Sequence, residues 1–209
     1  MESGRYVLRL EKVSSWHPYE KTGIEEISLC VEQREFICIY GISGSGVTDL
    51  YDILTGKRKQ QDGKFVICGE MHIIPERFPF FPNMTVKDYL LMPGVFCGER
   101  AEKIWKKRKE LLKEHWLWKK RTMRAEFLSG FEKGILMAWN AFYGNPDVIV
   151  IGNCMQYMDD KEEKSFWKEI AGFRQETAIV CVSDRIPDCD GIDRIYKMEN
   201  GTLIREEDA

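Results

Sequence analysis

Residues 35–41, Glu-Phe-Ile-Cys-Ile-Tyr-Gly, form a continuous apolar run that stops at a glycine. A strand without polar alternation has both faces buried, as parallel strands inside an α/β layer do. The chain leaves this run through Ile42-Ser-Gly-Ser-Gly-Val-Thr48, and Thr48 to Leu54 then has a helical pattern closed by Gly56. Two further buried strands are predicted over 146–153 (PDVIVIGN) and 177–184 (TAIVCVSD), separated by the charged helical segment 159–173. Strand, loop and helix therefore alternate at both ends of the chain, which requires an α/β core.

Other segments have a different character. Residues 5–13 alternate apolar and charged side chains and read as an antiparallel edge strand, and 23–31 read likewise. A strand over 63–70 leaves the turn at Asp62-Gly63, and 194–206 reads as a hairpin about Asn200-Gly201. Between Thr85 and Phe127 the pattern is helical and dense in lysine, arginine and tryptophan. The expectation is one domain over 1–209, with an α/β core, an antiparallel β subdomain and a helical subdomain over roughly 85–142.

Composition excludes several classes. With 44% hydrophobic and 31% charged residues the chain has the balance of a soluble globular protein, and its net charge of −3 gives no global reason to expect a nucleic-acid partner. No apolar run approaches the length of a membrane span, and Met1-Glu-Ser-Gly-Arg is not a signal peptide. A cytoplasmic protein that meets a membrane only through a partner is expected. The seven cysteines are scattered, odd in number and form no C-x-x-C. They read as reduced core thiols, and with three separated histidines no zinc site is expected.

Gly41 to Thr48 fits G-x-x-x-x-G-K-[ST] at every fixed position except the lysine, where Val47 stands. Glycines at 41, 44 and 46, with Ser43 and Ser45 between them, let successive backbone N–H groups curl around phosphate oxygens. The following helix adds its positive end. Thr48 stands where a hydroxyl would ligate Mg²⁺. Taken alone, the segment fits either a phosphate cradle or an ordinary glycine-rich turn.

The downstream segments decide between these. Phe127-Leu-Ser-Gly-Phe-Glu132, then Asn145-Pro-Asp-Val-Ile-Val-Ile-Gly-Asn-Cys154, Asp159, Val182-Ser-Asp184, Asp193-Arg-Ile and Asn200-Gly201 follow in order. In order and spacing the chain resembles the ATP-binding cassette of ABC transporters over essentially its full length. Ile74-Pro-Glu-Arg, Phe81 to Leu90, Gly46-Val-Thr-Asp-Leu50 and Val182-Ser…Ile186-Pro-Asp are, more narrowly, similar to the C-terminal cassette of two-cassette ATPases that drive ribose- and galactoside-type sugar importers. Such a protein would be about twice the present length.

The resemblance implies a phosphate loop, a glutamine loop, an LSGGQ signature, a Walker B strand, a D-loop and a switch histidine. Five of these stations depart from the pattern. Val47 removes a lysine from the β/γ phosphates; losing one or two charge-assisted hydrogen bonds costs roughly 10- to 10⁴-fold in affinity. Glu76 falls at the glutamine and would still approach a magnesium ion. Gly152 replaces the Walker B aspartate, and Asn153 replaces the catalytic glutamate, a general base of the kind worth about 10²–10⁴-fold. Asp184 replaces the switch histidine. In the signature, Leu128, Ser129 and Gly130 survive, whereas Phe131 and Glu132 replace Gly-Gln and would hinder closure on a second cassette. Asp159 keeps the D-loop position.

For adenine stacking the place of the first hairpin is crowded by Trp16, His17 and Tyr19, with Trp16 or His17 nearest in register; a surface aromatic cluster reads equally well. Residues 98–126 hold eleven Lys/Arg against five Asp/Glu, with Trp105, Trp116 and Trp118 interleaved. The favoured reading is an amphipathic face with packed tryptophans and solvated lysines; the other is a basic face for nucleic acid or anionic lipid. Phe80-Phe81-Pro82 is either core or, as the resemblance implies, a docking surface for a permease.

Taken together, the resemblance implies a cassette subunit with dismantled catalysis. ATP and Mg²⁺ binding would be weak, and the partners would be a membrane permease and a second cassette, identical or different, at the inner face of the cell membrane. No nucleic-acid partner is expected. The alternatives are a weakly active ATPase using Glu76 or Asp159, and a soluble adaptor binding protein or nucleic acid through 98–126.

Overall fold

The computed structural model describes residues 6–17, 20–79, 81, 83–173 and 176–206. In chain order the elements are β1 (Tyr6–His17), β2 (Glu20–Glu32), β3 (Phe36–Tyr40), α1 (Val47–Leu54), β4 (Asp62–Ile67), β5 (Met71–Ile74), α2 (Val86–Phe96), α3 (Ala101–Leu112), α4 (Trp116–Lys119), α5 (Gly130–Ala141), β6 (Val148–Ile151), α6 (Asp160–Phe173), β7 (Ala178–Ser183), β8 (Arg194–Glu199) and β9 (Thr202–Glu206). Short 3₁₀ turns at Ala125–Phe127 and Cys154–Tyr157 precede α5 and α6.

The central sheet has the order β5-β6-β7-β3-β8-β9, parallel except for the last pair. Its apolar strands alternate between two cores with the two-residue period of the pleat. Ile149, Ile151, Ile179 and Cys181 face the helical side, where α2, α5 and α6 contribute Val86, Leu90, Ile135, Phe166 and Ile170. Val148, Val150, Val180 and Val182, with Ile37 and Ile39, face α1 and the antiparallel layer of β1 and β2. Burying each such side chain is worth ~1.5–3 kcal/mol.

The antiparallel sheet has the order β2-β1-β4, so the strand expected at an edge is central. Leu8 pairs across to both Val31 and Ile67, and Leu10 to both Leu29 and Phe65. The charged residues alternating along β1 mark its solvated face; a face and an edge look alike in a single strand's pattern. The expected 63–70 strand is shorter, ending at Ile67. Asn200 (φ 49°) and Gly201 (φ 78°) form the primed turn that joins β8 to β9. All seven cysteines carry free thiols, with Cys38, Cys154 and Cys181 buried.

The predicted helical stretch is three helices and a 3₁₀ turn, and α5 starts at Gly130 inside the expected signature segment. Its tryptophans pack inward: Trp105 stacks on Trp118 (centroids 5.3 Å) and Trp116 on Phe131 (6.1 Å). Lys103, Lys106, Lys107 and Lys109 are exposed. Arg108 is not part of a basic face. It is buried, donates from Nη1 to Trp139 O (2.8 Å) and lies 4.6 Å from the Tyr143 ring centroid. Burial pulls its pKa down to about 10. No helix among the described residues is long and apolar enough to cross a membrane.

A polar bridge joins α4, α5 and α6 under this subdomain. Glu169 lies 3.0 Å from His115 Nε2 and accepts from Trp139 Nε1 (3.0 Å), and the His115 contact chiefly holds its carboxyl below the ordinary range. A depressed carboxyl contributes stability above its unfolded pKa of about 4.3 and loses it as pH falls through the folded value. Glu169→Gln should therefore cost about 1 kcal/mol near pH 6, and urea unfolding should show this deficit shrinking as pH falls below about 4.

Candidate functional site

The C-terminal ends of β3, β5, β6 and β7 lie side by side, and the turns leaving them enclose a cleft of about 160 Å³. Gly41, Ser43, Val47, Thr48, Tyr51, Glu76, Asn153, Val182, Ser183 and Asp184 line it. Seven positions predicted from the sequence are thus brought together. Pockets that enclose whole small molecules run to roughly 300–1,000 Å³, and this one is smaller.

The glycine turn is braced from both sides. Gly41 N–H donates to Ser183 O (3.1 Å), and Gly201 N–H donates to Ser45 O (2.9 Å). Ser45 is buried, and its Oγ accepts from Val47 N–H (3.3 Å), while Gly46 adopts φ 95° as the cap of α1. Gly44 has open space around it. The loop therefore has a phosphate cradle's backbone path, with exposed Thr48 on the first turn of the helix. Its lining holds two carboxylates, Glu76 and Asp184, and neither lysine nor arginine.

The wall at the end of β6 is closely packed. Gly152 ends β6, its N–H bound to Ile74 O (2.9 Å). A Cβ added there would lie 2.8 Å from Tyr51 Oη, 2.9 Å from Tyr51 Cζ and 2.8 Å from Glu76 N. Tyr51 is 3% exposed, its Oη accepts from Glu76 N–H (3.3 Å), and burial raises its phenol pKa. The Glu76 carboxylate accepts from Gln156 Nε2 (3.1 Å), which also donates to Asn153 O (2.9 Å). Among the described residues, no group of three or more His, Cys, Asp or Glu side chains converges on a metal-sized site. Tyr51 and Gln156 escaped sequence reasoning; the visible signal for Tyr51 was an aromatic residue three positions after Thr48, beside a missing side chain at 152.

Other predicted residues stand apart from the cleft. At the end of β1, Trp16 is 50% exposed. His17 Nε2 lies 2.9 Å from both Asp49 Oδ1 and Arg58 Nη1, so that ring is held against α1. Tyr19, Phe80 and Pro82 lie outside the described residues; Phe81 is 53% exposed.

Leu128 is buried, and Ser129 caps α5 in a reciprocal pair with Glu132, each backbone N–H bonded to the other's side chain (3.2 Å). Glu132 is also ion-paired with Lys120, and Phe131 stacks on Trp116. The bulk and charge expected to project from this helix start are thus turned into the helical subdomain. Gly130 sits where a Cβ would meet Tyr157 O at 2.3 Å. Asp159 caps α6, its Oδ1 accepting from Lys161 and Glu162 N–H (2.9 Å each).

In fold the chain is an ATP-binding cassette of the ABC-transporter type. It superposes on an ATP-binding cassette of an ABC transporter with TM-score 0.80 at 20% identity, covering 95% of this chain and 90% of that one. It matches cbiO1 of Clostridium perfringens, part of the transporter complex cbiONQ, with TM-score 0.80 at 16% identity, covering 95% and 87%. No protein-family model matches. Its sequence is 28% identical over 162 residues to a probable metal transport system ATP-binding protein of Thermotoga maritima, covering 76% of this chain. It is 27% identical over 222 residues to the molybdate/tungstate import ATP-binding protein of Pyrococcus abyssi, covering 97%. The chain spans 66% and 62% of the lengths of these two relatives, less than two thirds of either.

A buried ion pair helps to hold the segment that follows β7 at the cleft. Arg185, next to Asp184, donates to both carboxylate oxygens of Glu163 (3.1 and 2.6 Å), and Glu163 is 2% exposed. Arg185→Ala leaves that carboxylate without its cation. With the arginine half exposed, a loss of about 2–3 kcal/mol is expected in denaturant unfolding, together with faster amide exchange over 184–190.

Proposed function

We propose that this chain is a catalytically silent cassette subunit of an importer-type ABC transporter, paired with a competent cassette and seated on a membrane permease at the cytoplasmic face. The carrying observation is the cleft itself. The phosphate-loop backbone is kept, yet its lining offers no cation to a polyphosphate, and Asn153 stands where a base would take a proton from water. An amide has no basic lone pair for that role, and the Glu76 carboxylate is engaged by Gln156. ATP binding would rest on the loop's backbone and Thr48 and would be weak.

The importer reading is supported by relatives named for metal, molybdate/tungstate and spermidine/putrescine transport. The sugar-importer subtype rests on the tracts at 46–50, 74–90 and 182–188 alone. Support for docking comes from Phe81, Met123 and Phe127, exposed around the backbone pairing of Thr85 with Arg124. Partnership with a competent cassette would use the retained Ser129-Gly130 turn. The role is structural or regulatory.

Purified protein should release phosphate from ATP no faster than its Thr48→Ala variant at any magnesium concentration. Turnover that depends on magnesium and disappears in Thr48→Ala would overturn the reading.

A further inference from the structure

We propose that Tyr51 fills the divalent-cation position of this cassette and that Gly152 is the residue that makes room for it. The inference deepens the reading of the cleft as a degenerate nucleotide site and rests on that reading.

Tyr51 is three residues beyond Thr48 on α1, so the two side chains rise from neighbouring positions on one helical face. Thr48 meets the cleft with a small hydroxyl; Tyr51 extends a ring toward the end of β6. The ring ends at Gly152, where a Cβ would meet Oη and Cζ at 2.8 and 2.9 Å. A Cβ there also meets the Glu76 backbone nitrogen at 2.8 Å, so no L side chain fits at 152 while Tyr51 and the Glu76 backbone it holds stay where they are. A carboxylate anchor and this phenol are mutually exclusive.

The phenol is fastened on three sides. Its oxygen accepts the Glu76 N–H, its ring is buried among the residues of the antiparallel-side core, and the Lys57 ammonium lies 4.6 Å from its centroid. Mg²⁺ needs near-octahedral oxygen ligands at about 2.0–2.1 Å. Here it would find the Thr48 hydroxyl, the Asp184 carboxylate and a Glu76 carboxylate with one oxygen bonded to Gln156, but no anion from 152, and among the described residues no three such acidic, His or Cys side chains converge. The residues present do not fit the ion. Tyr51 supplies instead a fixed link between α1 and the segment after β5, which a bound metal and its ligands would otherwise supply only when present.

Two measurements on the full chain test this. The first is the water-proton relaxation of Mn²⁺–ATP, which rises when the complex is immobilised on protein. Wild type, with only the loop backbone to hold the phosphates, should raise it little, Gly152→Asp should raise it no more, and Tyr51→Val/Gly152→Asp should bind Mn²⁺–ATP at least tenfold more tightly than wild type. The second keeps the idea testable should the aspartate variants fold poorly. Gly152→Ala should lower Tm by several degrees in wild type and by less than half as much in a Tyr51→Val background. Relaxation enhancement by wild type equal to that of the double variant would overturn the proposal. So would an undisturbed Gly152→Asp that gains Mn²⁺–ATP binding alone, a folded double variant that gains none, or equal costs of Gly152→Ala in both backgrounds. Wild-type enhancement of that size without turnover would sink this inference and spare the silent-cassette reading. Failure to assemble with a competent cassette would do the reverse.

Discussion

Everything at this site depends on β3 being used on all four sides. Cys38 pairs with Cys181 of β7 on one edge and with Ile195 of β8 on the other, while Phe36 faces the helical core and Ile37 and Ile39 the opposite one. A strand without a free edge or a free face can release its chain only at its end. The glycine turn therefore emerges above the middle of the sheet, beside the turns that leave β5, β6 and β7. Ligand clefts at the carboxyl ends of parallel strands arise by this geometry in open α/β sheets generally. The hydrogen bonds from Gly41 to Ser183 and from Gly201 to Ser45 fasten the turn to its neighbours.

Upon that scaffold, the residues that differ from the cassette motifs have local partners. Glu132 closes a capping box and pairs with Lys120; Phe131 finds Trp116. Gly152 accommodates Tyr51. Such contacts stabilise the altered residues in place, and a buried group with a partner is costly to remove from either side. A side chain placed at 152 meets a packed ring rather than a vacant socket. The five stations differ in this respect: Val47 and Asn153 face the cleft itself, whereas Phe131 and Glu132 belong to the packing of the helical subdomain.

Much of this was legible in the residues. The unbroken apolar runs announced β3, β6 and β7, three of the five parallel strands described, because only strands buried on both faces lack polar alternation. Asn200-Gly201 announced its hairpin, since both positions need φ above zero. The place of β1 was not legible: charged alternation reports one solvated face and is silent about how many neighbours the strand has. Nor was the burial of Arg108, which shares a run of cations with Lys106 and Lys107 yet turns toward Tyr143. Helical spacing separates those neighbours by about 100° each, and only packing chooses which of them faces inward.

By itself, then, the sequence determined the α/β class and the glycine turn, because these follow from local periodicity, turn chemistry and residue identity, and the resemblance added the positions that differ from the cassette motifs. Tertiary structure alone decided what those differences mean. In the sequence Gly152 is a glycine where the resemblance implies a carboxylate; in the fold it borders the space occupied by Tyr51 from the first helix of the core. A missing side chain carries no record of what replaces its volume, and that volume is shared only once β6 and α1 are packed together.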